Sequence, residues 1–129
     1  MTLHHVGYLV ADLAAAAEEF FCLGFTAEGD TVADPVREVS ILFIRSGGTL
    51  VELICPAGKD SPFAPLLKRF KNSPYHFCYE VKSLEETERE LLGRGYLPVK
   101  PPEHAPALGG RMVAFYVHGD IGILELVEG

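Results

Sequence analysis

His5-Val-Gly-Tyr-Leu-Val-Ala-Asp-Leu13 reads directly over His76-Phe-Cys-Tyr-Glu-Val-Lys-Ser-Leu84, with His, Tyr, Val and Leu coinciding at a constant offset of 71, from His5 to His76 and from Leu13 to Leu84. Working outward, the match continues. Asp12 is a plausible N-cap for a helix over 12–23, and Gly24-Phe25 stops it. In the second copy Ser83, with Glu86 three residues on, is a capping box for a helix running to about Arg94, and Gly95-Tyr96 keeps the offset. Further on, Leu50-Val-Glu-Leu-Ile54 lies over Ile123-Leu-Glu-Leu-Val127, displaced by two more residues in a loop. A repeat of this kind decides the fold before any single element does.

The remaining elements fit between these anchors. Residues 3–10, 37–45, 49–55, 75–82, 111–118 and 121–127 carry strand patterns. Ser46-Gly47-Gly48 marks a hairpin turn, and Gly119-Asp120 marks another. Asp60-Ser61-Pro62 is read as opening a short helix, with Pro62 in the first turn. The prediction is an α+β fold of two tandem βαβββ modules. Residues 1–129 form one domain: module one over about 1–58, a linker helix over about 60–72, and module two over about 74–129.

Composition narrows the function. Eleven Lys and Arg against eighteen Asp and Glu leave a net charge of −7. Duplex nucleic acid and anionic membrane surfaces are poor partners for such a chain, because binding them depends on clustered cations. Any anionic substrate must be met by a local patch or a bound cation. Cys22, Cys55 and Cys78 are odd in number and lack Cys-x-x-Cys spacing, so buried free thiols are expected rather than disulfides or a thiolate zinc site. The first residues run straight into a strand pattern without a basic leader, and no apolar stretch approaches the ~20 residues of a membrane span. A soluble cytoplasmic domain is expected.

Four metal-capable residues occupy equivalent points of the two modules: His5 and Glu52, then His76 and Glu125. Glu52 and Glu125 sit in runs apolar on both sides, where a buried carboxylate needs a partner. Taken singly, each residue has an ordinary alternative, a hydrogen-bonded core histidine or a solvated carboxylate at a strand end. Their repetition at matching positions favours a shared role. Two imidazoles and two carboxylates suit one divalent ion such as Mn, Fe, Co, Ni or Zn, with positions left for water or substrate.

These residues carry a resemblance. The chain resembles the vicinal oxygen chelate superfamily, which includes glyoxalase I, extradiol dioxygenases, antibiotic-resistance proteins and methylmalonyl-CoA epimerases. The resemblance implies paired βαβββ modules whose partly open mixed sheet forms a cup around a divalent metal. The ligands it implies are His5, Glu52, His76 and Glu125. Val39-Ser-Ile-Leu-Phe-Ile-Arg-Ser-Gly-Gly-Thr-Leu-Val-Glu-Leu-Ile-Cys-Pro56, Gly58-Lys-Asp-Ser-Pro62, Tyr75-His-Phe-Cys-Tyr-Glu-Val81 and Ala107-Leu-Gly-Gly110 are most similar to the epimerase branch. That branch implies a metal-dependent enzyme working through an enolate on a small acyl-CoA, with Glu125 as proton acceptor, and usually a homodimer. Its second base departs from the pattern: ungapped alignment puts Val36 at that position, and Glu38, two residues on, is the substitute candidate if the register differs. A glyoxalase I-like lyase and a non-catalytic small-molecule binder are the alternatives. Arg45, Lys59, Lys68, Arg69 and Lys71 are candidates for a cationic rim, with solvated surface charge as the ordinary reading.

Overall fold

The computed structural model describes residues 1–129 as an α+β protein with three α-helices and ten strands, paired both parallel and antiparallel within each half. No helix is long and apolar enough to cross a membrane. The chain divides into two compact units, one over His5–Tyr75 and one combining Met1–His4 with His76–Gly129.

In the His5–Tyr75 unit, β1 (Thr2–Leu9) leads into α1 (Leu13–Cys22), followed by β2 (Thr26–Ala27), β3 (Val32–Asp34), β4 (Val39–Ser46), β5 (Thr49–Pro56) and α2 (Ala64–Phe70). Asp12 caps α1 as expected: its Oδ1 accepts from the Ala15 N–H at 3.0 Å. β4 and β5 form the expected hairpin, in register from Val39↔Pro56 to Ser46↔Thr49. β5 then pairs parallel with β1, with Gly7 opposite Glu52. One face of this ladder packs Val51, Leu53, Leu42 and Ile44 against Val10 and Ala17. Tyr8, Phe20 and Phe25 close the cluster with edge-to-face ring contacts of 5.1 and 5.2 Å.

The second unit repeats the plan with β6 (Ser73–Val81), α3 (Leu84–Gly93), β7 (Leu97–Pro98), β8 (Glu103–Ala105), a 3-10 turn at Pro106–Leu108, β9 (Arg111–His118) and β10 (Gly122–Glu128). Ser83 caps α3 by accepting the Glu86 N–H at 3.2 Å. β9 and β10 are antiparallel, and β10 pairs parallel with β6, with Cys78 opposite Glu125. Val81, Leu84, Leu91, Ala114, Tyr116, Leu124 and Leu126 form the core on the helix side.

Two local expectations change. The 60–72 helix starts later, at Ala64, with Pro65 rather than Pro62 in its first turn. Ser61 is buried and its hydroxyl donates to the Arg37 carbonyl at 3.2 Å and accepts the Phe63 N–H, so it shapes the preceding turn instead of capping the helix. Of the three free cysteines only Cys78 is buried; Cys22 is exposed and Cys55 half-buried. Burial pushes the Cys55 thiol above its ordinary range, with a hydrogen bond from the chain pulling the other way.

Candidate metal centre

The parallel register builds the same pair twice. Residues opposite each other in a ladder share a face, and so do residues two apart along one strand. Glu52 lies opposite Gly7, two residues beyond His5, and Glu125 lies opposite Cys78, two residues beyond His76. The result in the His5–Tyr75 unit is His5 Nε2 at 3.4 Å from Glu52 Oε1. In the second unit His76 Nε2 is 3.0 Å from Glu125 Oε1. All four are buried, at 1%, 5%, 4% and 4% relative exposure for His5, Glu52, His76 and Glu125, so each carboxylate meets an imidazole rather than water.

Aromatic rings complete each pair. Phe43 is the cross-strand partner of Glu52 and meets the His5 ring edge-to-face at 5.3 Å. Phe115 is the partner of Glu125 and meets the His76 ring at 5.5 Å. Reading for donors alone passes over these two residues. Setting Ser-Ile-Leu-Phe43 over Met-Val-Ala-Phe115 reveals them, because both phenylalanines lie opposite a repeated glutamate.

Each unit thus presents one imidazole and one carboxylate as potential metal donors, His5 with Glu52 and His76 with Glu125. Their donor chemistry fits a divalent transition ion: imidazole nitrogens and carboxylate oxygens, with no thiolate that would select a softer metal. Cys78 is fully buried opposite Glu125.

Glu38 is placed elsewhere. β4 begins at Val39, so Glu38 lies in the preceding turn, exposed, with φ at 53°. As a turn residue, Glu38 has no strand register to bring it into line with the position of Val36. Val36 in the same turn is 70% exposed. The turn is fixed by a feature the sequence reading missed, a buried Asp34–Arg37 ion pair at 2.7 Å. Asp34 Oδ1 also accepts the Val36 and Arg37 N–H groups. Burial raises the Asp34 carboxyl, but the Arg37 hydrogen bonds and charge outweigh it and hold it below its ordinary value. Arg45 is paired with Glu28 through two hydrogen bonds of 2.8 and 3.0 Å, which withdraws it from a cationic rim.

A family model for the glyoxalase/bleomycin resistance protein/dioxygenase superfamily matches residues 4–115. The chain belongs to that superfamily. Within it, the chain is similar to the mitochondrial methylmalonyl-CoA epimerase of Bos taurus, at 34% identity over 98% of this chain and 73% of the relative. It is similar to the ethylmalonyl-CoA/methylmalonyl-CoA epimerase of Cereibacter sphaeroides, at 34% identity over 72% of this chain and 75% of the relative. The solved structure of methylmalonyl-CoA epimerase from Mycobacterium tuberculosis shares the fold, with a TM-score of 0.83 at 23% identity over 98% of this chain and 87% of that one.

Proposed function

We propose that this chain is a metal-dependent epimerase of a methylmalonyl-CoA-like acyl-CoA, working through an enolate. The observation that carries the reading is the duplicated buried His–Glu pair in a chain 34% identical to two epimerases. His5, Glu52, His76 and Glu125 together hold one divalent ion in this proposal. When bound, the ion supplies a Lewis acid that stabilises negative charge developing on substrate oxygen. Glu125 accepts the α-proton at a carboxylate oxygen, and the C–H electron pair moves into the thioester as the enolate forms. His76 Nε2 lies 3.0 Å from Glu125 Oε1, which sets these two donors side by side. Phe43 and Phe115 pack against the imidazoles and keep them from rotating out of line. Reprotonation on the opposite face inverts the centre. Glu38 is the sequence candidate for delivering that proton, and its exposed position makes its substitution the deciding test. The same reading takes the protein as a cytoplasmic homodimer.

The experiment is proton NMR in D₂O with metal-loaded protein, offering methylmalonyl-CoA and a methylglyoxal–thiol mixture in parallel. The reading expects loss of the α-proton signal of methylmalonyl-CoA. Exchange or product in the methylglyoxal sample alone would replace it with a glyoxalase I-like lyase.

A further inference from the structure

The charge of this chain is unevenly distributed. Residues 57–72 hold four cations, Lys59, Lys68, Arg69 and Lys71, against one acid, Asp60; the other residues hold seven cations against seventeen acids. Arg37, Arg45, Arg89, Lys100 and Arg111 are each held in an ion pair with a carboxylate. The four cations of 57–72 are in none, and all four side chains are exposed. Three of them fall within one turn at the C-terminal end of α2. Cations in the last turn of a helix are favoured by its dipole, but exposed and unpaired they also repel one another and leave a local positive field that an anion can meet.

The segment has two further properties. β5 carries Glu52 and runs on for four residues to Pro56 before delivering the chain into it, which is ~13 Å of extended strand. Ser61, buried and bonded to the Arg37 carbonyl, anchors the intervening turn. Beside the cations, the Arg69 guanidinium lies 5.4 Å from the centroid of the Phe70 ring, and Phe70 is 36% exposed. The guanidinium lies over the ring, and its own exposed outer plane is a surface on which a purine base can stack.

We propose that α2 and its preceding loop bind the phosphorylated adenosine end of the acyl-CoA substrate. Lys59, Lys68 and Lys71 meet the phosphates, and the Arg69–Phe70 platform meets the base. The inference rests on the acyl-CoA reading above and deepens it. It explains how a chain of net charge −7 attracts a polyanionic substrate. The reacting acyl group lies at one end of the ligand and the phosphates at the other, so the patch acts on capture rather than on the chemical step.

The test compares wild type with Lys68→Glu/Lys71→Glu and with a charge-matched control, Lys82→Glu/Arg94→Glu, whose residues are exposed and lie outside the segment. Binding of adenosine 3′,5′-bisphosphate is measured by calorimetry, and KM by turnover of methylmalonyl-CoA against the truncated methylmalonyl-pantetheine. The expected result is bisphosphate binding to wild type that weakens with added salt. In the α2 variant the Kd and the KM for methylmalonyl-CoA rise about tenfold, whereas the control binds as wild type does. The KM for the pantetheine thioester moves less than twofold. Equal loss in variant and control, or no bisphosphate binding by wild type, overturns the proposal. Bisphosphate binding with the expected variant pattern but without turnover would remove the epimerase reading and leave this one standing.

Discussion

A glutamate and a histidine buried together can serve structure or chemistry, and substitution separates the two. Glu125→Gln keeps the shape and the hydrogen bond to His76 but removes the basic carboxylate. Loss of a positioned base typically costs ~10²–10⁴-fold in rate. We expect a loss of that size in α-proton exchange, measured by NMR in D₂O, with the melting temperature little changed. Glu38→Gln gives the contrasting case. A second base would cost a comparable factor, whereas the exposed, left-handed turn position predicts a change of less than about twofold. The two buried His–Glu pairs were legible because the repeat aligns His5 with His76 and Glu52 with Glu125. The setting of Glu38 was not, since β4 begins at Val39, two residues later than the expected strand over 37–45, and this moves Glu38 from the strand into the turn.

At the scale of elements, the long strands and the helices α1 and α3 were readable from period and caps. β2, β3, β7 and β8 were not: each has two or three residues, too few to show an alternation. The Asp34–Arg37 pair escaped for a similar reason, since charges three apart in a turn read as ordinary surface residues. The pair has a testable consequence for stability. Asp34→Asn keeps an oxygen for the backbone N–H groups but loses the charge facing Arg37. A hydrogen bond to a charged group contributes about 1.5–3 kcal/mol. Because the folded carboxyl is held below its ordinary value of 3.8, its stabilisation is complete above that value and is lost as pH falls through the lower folded one. Chemical unfolding of wild type and Asp34→Asn should therefore differ at neutral pH and converge in strong acid. A constant difference across that range would show that packing, not the charge, is responsible.

For the whole molecule, the duplication makes a claim that neither half makes alone. Each unit contributes one imidazole and one carboxylate, and two donors are too few for tight, selective binding of a transition ion. In the proposed function one site draws on both modules for a four-donor shell. Bound metal stabilises the native state by mass action, so chelation should lower the melting temperature. Light scattering tests the homodimer, which predicts twice the 14.1 kDa mass of one chain at micromolar concentration. The most direct measurement is metal stoichiometry by elemental analysis after loading, for wild type, His5→Ala and His76→Ala. A single site shared by the modules predicts one divalent ion per chain in wild type and its loss in either variant alone. Two ions per chain, with each variant losing one, or metal content unchanged by both substitutions, would contradict it.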